Sequence, residues 1–256
     1  MKISNSLHPK MIPKIIWQTY KTNTPPKRAD NNIKSWTTHN PHHKYRYSSD
    51  LQCEAFIRDY FDKEFIKMYN SLPIGVMKAD VWRAAIIYQF GGIYADLDTE
   101  CRGPASLWIG EDDSLVVTVE NKSGAIGNFI FAAIPKHPAI YSVLESFVEI
   151  YQSDSFLNKR SPTPVQDFGA HGWSAGILTY YGLNKPEIMQ KGGGEYNKCT
   201  KVIADQAKFY PSESKVLSAY PNENTLVYHQ TASVFWLEGY ESWRIEQERQ
   251  LGVFGV

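Results

Sequence analysis

The sequence predicts an α/β fold built on a mostly parallel sheet flanked by helices. Short apolar runs alternate with segments of helical spacing through the first half of the chain, which is typical of this class. The 256 residues are 43% hydrophobic and include no repeat or long polar tract, so the chain is long enough and apolar enough for one sizeable core. We therefore expect a single domain spanning residues 1–256.

The first half begins with a short apolar run, residues 14–17 after Pro13, that predicts a buried first strand. The clearest helix covers residues 76–90 and ends at Gly91-Gly92, because paired glycines fit a left-handed helix end followed by a tight turn. A strand at residues 93–96 follows. The other elements predicted before this helix are a helix near residues 33–38, a strand at residues 45–47 and a helix from about residue 50 to 70.

The second half carries further strands and two more helices. His137-Pro138 opens a helix predicted to reach about residue 151. Around a helical patch near residues 177–181, the chain is rich in Gly, Ser and Pro, and we expect residues 169–176 to form a loop with free backbone amides. The remaining predictions are strands at residues 115–119, 129–134 and 226–229 and a terminal helix at residues 241–250.

Composition and charge exclude several classes of protein. The chain has 27 basic and 27 acidic residues, so it lacks the basic excess that usually marks nucleic-acid binding. No uncharged apolar stretch approaches the ~18 residues of a transmembrane helix, and the N-terminus lacks the apolar core of a signal peptide. Three cysteines, Cys53, Cys101 and Cys199, lack metal-ligand spacing and indicate free thiols. We expect a soluble, cytoplasmic protein, with peripheral contact with a membrane surface left open.

Two acidic residues at the end of a strand carry the chemical signal. Asp96 and Asp98 are two apart on an extended segment, so both carboxylates project to one side. Carboxylates this close repel one another unless a cation lies near, and Mn²⁺ or Mg²⁺ prefers such oxygen ligands. Asp80 and Arg83 share one helix face, and taken alone they predict an exposed ion pair.

The stretch from Lys78 to Glu100, KADVWRAAIIYQFGGIYADLDTE, resembles the DXD region of glycosyltransferase family 32. That family includes the yeast initiating α-1,6-mannosyltransferase and bacterial capsular-polysaccharide transferases, and the region is similar to the catalytic domain of clostridial glucosylating toxins. The resemblance implies a GT-A type fold and an enzyme that transfers a hexose with retention of configuration. Its donor would be a UDP- or GDP-linked sugar held with Mn²⁺ or Mg²⁺, and its acceptor a glycan, a lipid-linked saccharide or a protein.

Other segments extend the resemblance and imply roles for individual residues. Residues 12–20 resemble the opening strand of the family, residues 127–129 its asparagine position, and residues 227–236 its HHWxGSW ending. By this resemblance Asp96, Asp98 and His229 would hold the metal. The residues that would bind or orient the donor are Trp17, Tyr20, Asp80, Arg83, Asn128, Ser233 and Trp236, with Asp80 and Arg83 counted with Asp96 and Asp98 as catalytic. Bacterial polysaccharide assembly and a viral glycan pathway both fit, so a bacterial or viral source is expected.

Two other functions remain open on sequence grounds. Asp96-Leu97-Asp98-Thr99 also resembles the DxDxT start of haloacid-dehalogenase-like phosphatases, in which the first aspartate is a nucleophile. Against that reading, Glu100 follows the motif and nearly a hundred residues precede it. A non-catalytic module that binds a sugar nucleotide would need the same carboxylates, and the sequence does not exclude it.

Overall fold

The structure is a computed structural model, and it describes residues 11–119, 125–153, 156, 167–183, 207–211, 217–218 and 226–230. Within these ranges strands and helices alternate as the sequence predicts. In chain order the elements are β1 (Ile15–Tyr20), α1 (Asp30–His39), β2 (Lys44–Ser49), α2 (Asp50–Tyr60), α3 (Lys63–Ser71), α4 (Gly75–Phe90), β3 (Gly92–Ala95), β4 (Thr99–Cys101), β5 (Leu115–Val119), β6 (Ile126–Ala133), α5 (Pro138–Gln152), α6 (Gly172–Tyr180), β7 (Ala207–Pro211), β8 (Leu217–Ser218) and β9 (Val227–His229).

Six strands form the main sheet in the order β2-β1-β3-β6-β5-β7. The pairs β1–β2, β1–β3 and β5–β7 are parallel, whereas β6 runs antiparallel to both β3 and β5. Only residues 120–125 join β5 to β6, which is too short a connection for a parallel crossover. The predicted α/β class is confirmed, with β6 as the antiparallel strand of a mixed sheet.

The apolar core covers both faces of this sheet. Tyr94 of β3 packs with α2 to α6 on one face, and its neighbours Ile93 and Ala95 pack with Trp36 of α1 on the other. Successive residues of a strand point to opposite faces, so β3 is buried on both sides. A second sheet of three short strands, in the order β4-β9-β8, follows the end of β3.

The helix that precedes β3 ends where the sequence predicts. Gly91 and Gly92 have φ angles of 65° and 106°, which only glycine adopts readily. A Cβ at Gly91 would lie 2.7 Å from Pro135 Cδ, and one at Gly92 would lie 2.7 Å from the Ile15 carbonyl oxygen. The two glycines therefore let the chain turn tightly from α4 into a strand directly beside β1.

The helix predicted from about residue 50 to 70 is two helices. Asp62 caps the second of them, because its Oδ1 accepts a hydrogen bond from Phe65 N at 3.0 Å. A cap at this position satisfies a backbone N–H that would otherwise have no partner at a helix start. The chain thus ends α2 at Tyr60 and begins α3 at Lys63.

The loop predicted at residues 169–176 is wrong, since this segment is helical. Residues 167–171 form one turn of π-helix that leads directly into α6. Gly176 lies so close to α5 that a Cβ would come within 2.4 Å of Val143 Cα, and one at Gly172 would come within 2.8 Å of Ile150 Cδ1. The glycines here allow α5 and α6 to pack closely. The glycine content of this segment therefore reflects helix packing rather than a loop.

Two further predictions, on membrane spans and on cysteines, are compared with the structure over the described residues. There, no helix is both long and apolar enough to cross a bilayer. Cys53 and Cys101 are buried free thiols, in agreement with the prediction for these two residues. Cys199 and the terminal helix expected at residues 241–250 lie outside the described residues.

Candidate functional site

The Asp-x-Asp segment forms a tight turn at the carboxyl end of β3. The Asp96 carbonyl oxygen accepts hydrogen bonds from Thr99 N at 3.0 Å and from Thr99 Oγ1 at 2.6 Å, which closes residues 96–99 into a turn. We call these four residues the DXD turn. After it, β4 leaves the main sheet and pairs with β9, so the two acidic side chains lie where the two sheets meet. Ligands of open α/β sheets bind at such strand ends.

A buried arginine joins three elements at this place. Arg83 Nη2 of α4 lies 3.2 Å from Asp80 Oδ1 and 3.3 Å from Asp96 Oδ1, and its Nη1 donates to the Asn128 carbonyl oxygen at 2.8 Å. The side chains of Arg83 and Asp80 are only 6% and 7% exposed. The prediction of an exposed Asp80–Arg83 ion pair is therefore wrong. The pair faces the strand ends of β3 and β6 rather than water.

Asn128 and Tyr94 donate further hydrogen bonds to the two carboxylates that face Arg83. Asn128 Nδ2 of β6 donates to Asp80 Oδ1 at 2.9 Å, and the Tyr94 hydroxyl donates to Asp96 Oδ1 at 2.6 Å. The ring of Tyr94 lies under the Arg83 guanidinium, 4.8 Å from Cζ to the ring centroid. We call Asp80, Arg83, Tyr94, Asp96 and Asn128 the arginine cluster. Sequence reasoning missed Tyr94, although it lies inside the motif Gly-Gly-Ile-Tyr.

Burial and like charges shift the pKa values of this cluster. Burial raises the pKa of Asp80 from 3.8 to about 6; Arg83 and Asn128 oppose the shift, and Asp96 adds to it. Burial alone would lower the pKa of Arg83, but the nearby acidic groups of Asp96, Tyr94, Asp80 and Asp98 together outweigh that effect, so the pKa is raised. The pKa of Tyr94 is raised well above 10, mainly by burial. Strong shifts caused by buried charge partners are typical of functional sites.

The second aspartate of the DXD turn has different surroundings. Asp98 is 8% exposed, and its carbonyl oxygen accepts a hydrogen bond from Gln230 N at 3.1 Å. Strand β9 pairs Thr99 with His229, so the backbone of His229 lies beside the DXD turn. The side chain of His229 is outside the described residues, as are Ser233 and Trp236.

The two aromatic residues of β1 lie at different places. Tyr20 ends β1 at the same edge of the sheet as the DXD turn, and its hydroxyl accepts a hydrogen bond from Arg28 Nη2 at 2.7 Å. Trp17 stacks on Phe90, and its Nε1 donates to the Gly91 carbonyl oxygen at 3.0 Å, where β3 begins. The structure thus brings Tyr20, and not the Trp17 indole, to the edge that holds the acidic residues.

A glycine of the π-helical turn covers the arginine cluster. A Cβ at Gly169 would lie 2.0 Å from Asp80 Oδ2, closer than any side chain could approach. Turns of π-helix within helical segments often occur at functional sites. Sequence reasoning missed Gly169, because nothing in the local pattern relates it to a residue 89 positions earlier.

The donor set fits a divalent cation that also binds a phosphorylated ligand. In the described part of the chain, no group of three or more His, Cys, Asp or Glu side chains is placed to enclose a metal. Mg²⁺ is typically held by one or two carboxylates together with substrate phosphates and water. The two aspartates of the DXD turn match that requirement.

Comparisons with known proteins agree with this geometry. Residues 26–115 match a family described as "Glycosyltransferase sugar-binding region containing DXD motif". The chain is 32% identical over 123 residues to the initiation-specific alpha-1,6-mannosyltransferase of Candida albicans, a match that covers 46% of this chain and 32% of the relative. It is 42% identical over 91 residues to inositol phosphoceramide mannosyltransferase 3 of Schizosaccharomyces pombe, covering 35% of this chain and 25% of the relative.

A solved glycosyltransferase structure shares the fold. PaToxG glycosyltransferase superposes with a TM-score of 0.51 at 16% sequence identity, over 76% of this chain and 85% of that one. Similarity at this level of identity supports the GT-A type of fold alone. The chain spans between a quarter and a half of the length of the first curated relatives that it matches.

The expected source and location are corrected by the same comparisons. The prediction of a cytoplasmic protein of bacterial or viral origin is wrong, because the curated relatives are fungal mannosyltransferases and glycosyltransferases from Candida albicans, Saccharomyces cerevisiae and Schizosaccharomyces pombe.

The match over residues 26–115 contains α4, β3 and the DXD turn, and hence every member of the arginine cluster except Asn128. This segment, which holds the DXD turn, thus matches the family of glycosyltransferase sugar-binding regions that contain the DXD motif, and the chain has the GT-A type of fold.

Proposed function

We propose that this chain, taken as a single domain over residues 1–256, is a glycosyltransferase that moves a hexose from a nucleoside-diphosphate sugar with retention of configuration. The observation that supports this most is the arginine cluster beside the DXD turn. Burying Asp80 and Arg83 beside the partly buried Asp96 is costly, and a core built only for stability does better with apolar residues. The cost is understandable if the cluster binds a polar ligand such as a sugar.

The two aspartates of the DXD turn have separate roles in this proposal. Asp96 Oδ1 is already engaged by Arg83 and Tyr94, so Asp96 acts on a metal through water or contacts a ribose or sugar hydroxyl. Asp98 is the direct ligand of Mn²⁺ or Mg²⁺, and His229 is a candidate third ligand. Such an ion neutralises the charge that grows on the diphosphate as the anomeric bond breaks.

The remaining site residues position the donor. Asp80, Arg83 and Asn128 present carboxylate, guanidinium and amide groups that already fix one another, and sugar hydroxyls exchange hydrogen bonds with all three types. Fixing the donor before reaction lowers the barrier by removing orientational freedom. Tyr20 is a candidate platform for the base. Ser233 and Trp236 are candidates to cover the donor. Trp17 remains a candidate for donor binding only because it lies in the segment that resembles the opening strand of the family.

Retention requires no dedicated base in this scheme. The acceptor hydroxyl attacks from the face that the diphosphate leaves, and an oxygen of the leaving phosphate takes its proton. Asp80 and Asp96 both pair with Arg83, and this scheme assigns neither of them a proton transfer.

The names of the relatives narrow the donor sugar. Relatives from Candida albicans and Schizosaccharomyces pombe are named mannosyltransferases, some of them inositol phosphoceramide mannosyltransferases, and one from Saccharomyces cerevisiae is named a mannosyl phosphorylinositol ceramide synthase. We propose mannose as the sugar, and a glycan or an inositol-containing lipid ahead of a protein as the acceptor. A panel of UDP- and GDP-linked sugars, scored by hydrolysis with Mn²⁺ or Mg²⁺, decides the base and the sugar.

Substitution of the DXD turn tests the proposal. Asp96→Asn and Asp98→Asn should each lower transfer by about 10²- to 10³-fold, because each removes a charge that acts on the transition state. Asp59→Asn makes the same change at an exposed position on α2 and should leave transfer unchanged. Full activity in either DXD variant contradicts the proposal.

Two other functions give different results in simple assays. A phosphatase that uses Asp96 as nucleophile would release phosphate from a phosphoaryl ester, but the hydrogen bonds from Tyr94 and Arg83 make this carboxylate a weaker nucleophile. A non-catalytic binding module would bind a sugar nucleotide with Mn²⁺ and leave it intact. Metal-dependent hydrolysis or transfer, with no release from the aryl phosphate, excludes both.

A further inference from the structure

We infer that Asn32, with Gln230, is a positioning residue that sets the backbone of the DXD turn and so the placement of its two carboxylates. This inference rests on the proposed function, since it concerns how the same site holds a divalent ion with the donor diphosphate. Asn32 lies on α1 and Gln230 directly follows β9, 198 positions later in the chain.

One amide group holds two acceptors at this place. Asn32 Nδ2 donates to the carbonyl oxygen of Leu97, the central residue of Asp96-Leu97-Asp98, at 3.2 Å. The same Nδ2 donates to Gln230 Oε1, also at 3.2 Å. An NH₂ group has two hydrogens, so both hydrogen bonds form together. Asn32 is 5% exposed, so water does not readily replace either partner.

Gln230 holds the next peptide of the same turn. Its backbone N–H donates to the Asp98 carbonyl oxygen at 3.1 Å, while its side chain accepts from Asn32. Two successive carbonyl oxygens, of Leu97 and Asp98, are thus tied to two residues that are also bonded to each other. The preceding carbonyl oxygen, of Asp96, accepts from Gln18 Nε2 at 3.1 Å. Every peptide oxygen from Asp96 to Asp98 therefore already has a protein donor.

This arrangement has a consequence for metal binding. Because those peptide oxygens are occupied, the turn offers its carboxylates to a cation, and the direction of each carboxylate depends on how the peptides are held. Mg²⁺ and similar ions require ligands close to ideal octahedral positions. Loss of groups that orient metal ligands typically lowers metal affinity by about 10- to 100-fold. A helix near the start of the chain and the end of β9 thus jointly set one metal site.

Another residue of α1, Ser35, contacts β4 but not the peptides of Leu97 and Asp98. Ser35 Oγ accepts a hydrogen bond from Cys101 N, at the far end of β4, at 2.9 Å. Removing the hydroxyl in Ser35→Ala loses this contact between α1 and β4 and a hydrogen bond to the Asn32 carbonyl oxygen. It leaves the Asn32 side chain and its hydrogen bonds to Leu97 and Gln230 in place. It is therefore a matched control for a purely structural role of Asn32.

The test measures the affinity of UDP and of GDP by calorimetry, with Mn²⁺ and with EDTA, in wild type, Asn32→Leu and Ser35→Ala. Leucine has nearly the shape of asparagine and cannot donate. We expect Asn32→Leu to weaken the Mn²⁺-dependent affinity by about tenfold or more, with the affinity in EDTA unchanged. Ser35→Ala should behave like wild type in both conditions while lowering the melting temperature.

Each outcome bears on one of the two proposals. If wild type shows metal-assisted affinity and Asn32→Leu matches it, the positioning role is overturned and the proposed function stands. If wild type gains no affinity from Mn²⁺, the proposed function fails, and this inference with it. Should Asn32→Leu not fold, Gln230→Met decides. This variant keeps the backbone hydrogen bond to Asp98 and removes the side-chain acceptor of Asn32. We therefore expect a smaller, severalfold loss of Mn²⁺-dependent affinity. An affinity equal to that of wild type overturns the inference.

Discussion

The two ends of the main sheet both bury polar groups, but they use them differently. At the end where β3 begins, His137 Nδ1 accepts from Ala139 N at 3.1 Å and caps α5, and its Nε2 lies 3.3 Å from Ser114 Oγ. At the end where β3 finishes, the arginine cluster holds two carboxylates against one guanidinium. The first end satisfies backbone groups that a helix start leaves open, whereas the second concentrates charge that no helix or strand requires.

This difference separates stability from function. A helix cap contributes to folding at little cost, since it exchanges one hydrogen bond with water for one within the protein. A buried cluster with two carboxylates and only one guanidinium opposes folding. We expect such a cluster only where it contributes to ligand binding or catalysis. Substitutions at the two ends should therefore change stability and donor binding in different proportions.

The largest expected effect on stability follows removal of the positive charge of Arg83. Arg83→Met leaves Asp80 and Asp96 facing each other without a counter-charge, and we expect a loss of about 3–5 kcal/mol in the free energy of unfolding. His137→Ala removes one cap and should cost only about 1 kcal/mol, with donor affinity unchanged. Urea denaturation at neutral pH measures both. Equal costs would mean that the two ends do not differ as described.

A pH-dependent effect should follow from Asp80. Its pKa is raised from 3.8 to about 6 in the folded protein, so the folded state binds the proton more tightly than the unfolded state. This contribution to stability is complete below pH 3.8 and is lost as pH rises toward 6, with a slope of up to about 1.4 kcal/mol per pH unit. Asp80→Asn should remove this fall and lower donor turnover.

Denaturation curves collected between pH 4 and pH 7 measure the fall in stability. The variant Asp59→Asn, at an exposed position, should give a profile parallel to that of wild type. A profile of Asp80→Asn that also stays parallel to wild type would show that Asp80 does not titrate in this window.

The smallest expected effect concerns the glycine that covers the cluster. A side chain at Gly169 must displace the Asp80 carboxylate, so Gly169→Ala should lower kcat/KM by about tenfold, or about 1.4 kcal/mol. Gly75 begins α4, the helix that carries Asp80, and a Cβ there would meet nothing within 4 Å. Gly75→Ala should change stability by no more than about 1 kcal/mol. Similar kinetics in both variants would argue against a role for Gly169.

The sequence predicts those parts of the fold that local chemistry decides. Gly91 and Gly92 mark the end of α4 because their conformations and close contacts exclude other residues. Pro138 and His137 mark the start of α5 because one fits the first turn and the other caps it. The acidic pair of the DXD turn is visible as two carboxylates after an apolar strand.

What the sequence does not predict depends on contacts between distant segments. Asp80 and Arg83 have the spacing of an exposed ion pair, and only the packing of β3 and β6 against α4 buries them. Asn32, Gly169 and Gln230 contact the site from elements far along the chain, and no local pattern marks them. For the same reason the antiparallel direction of β6 and the helical form of residues 169–176 were not predicted from composition.

The proposed function depends on a divalent ion that links the DXD turn to the diphosphate of a sugar nucleotide. Isothermal titration of wild type and Asp98→Asn with UDP and GDP, in the presence and absence of Mn²⁺, measures this link. We expect Mn²⁺ to raise the affinity of wild type for one of the two nucleotides, and Asp98→Asn to lose this increase while keeping its thermal unfolding midpoint. Equal affinities with and without the ion in wild type would show that no such link forms.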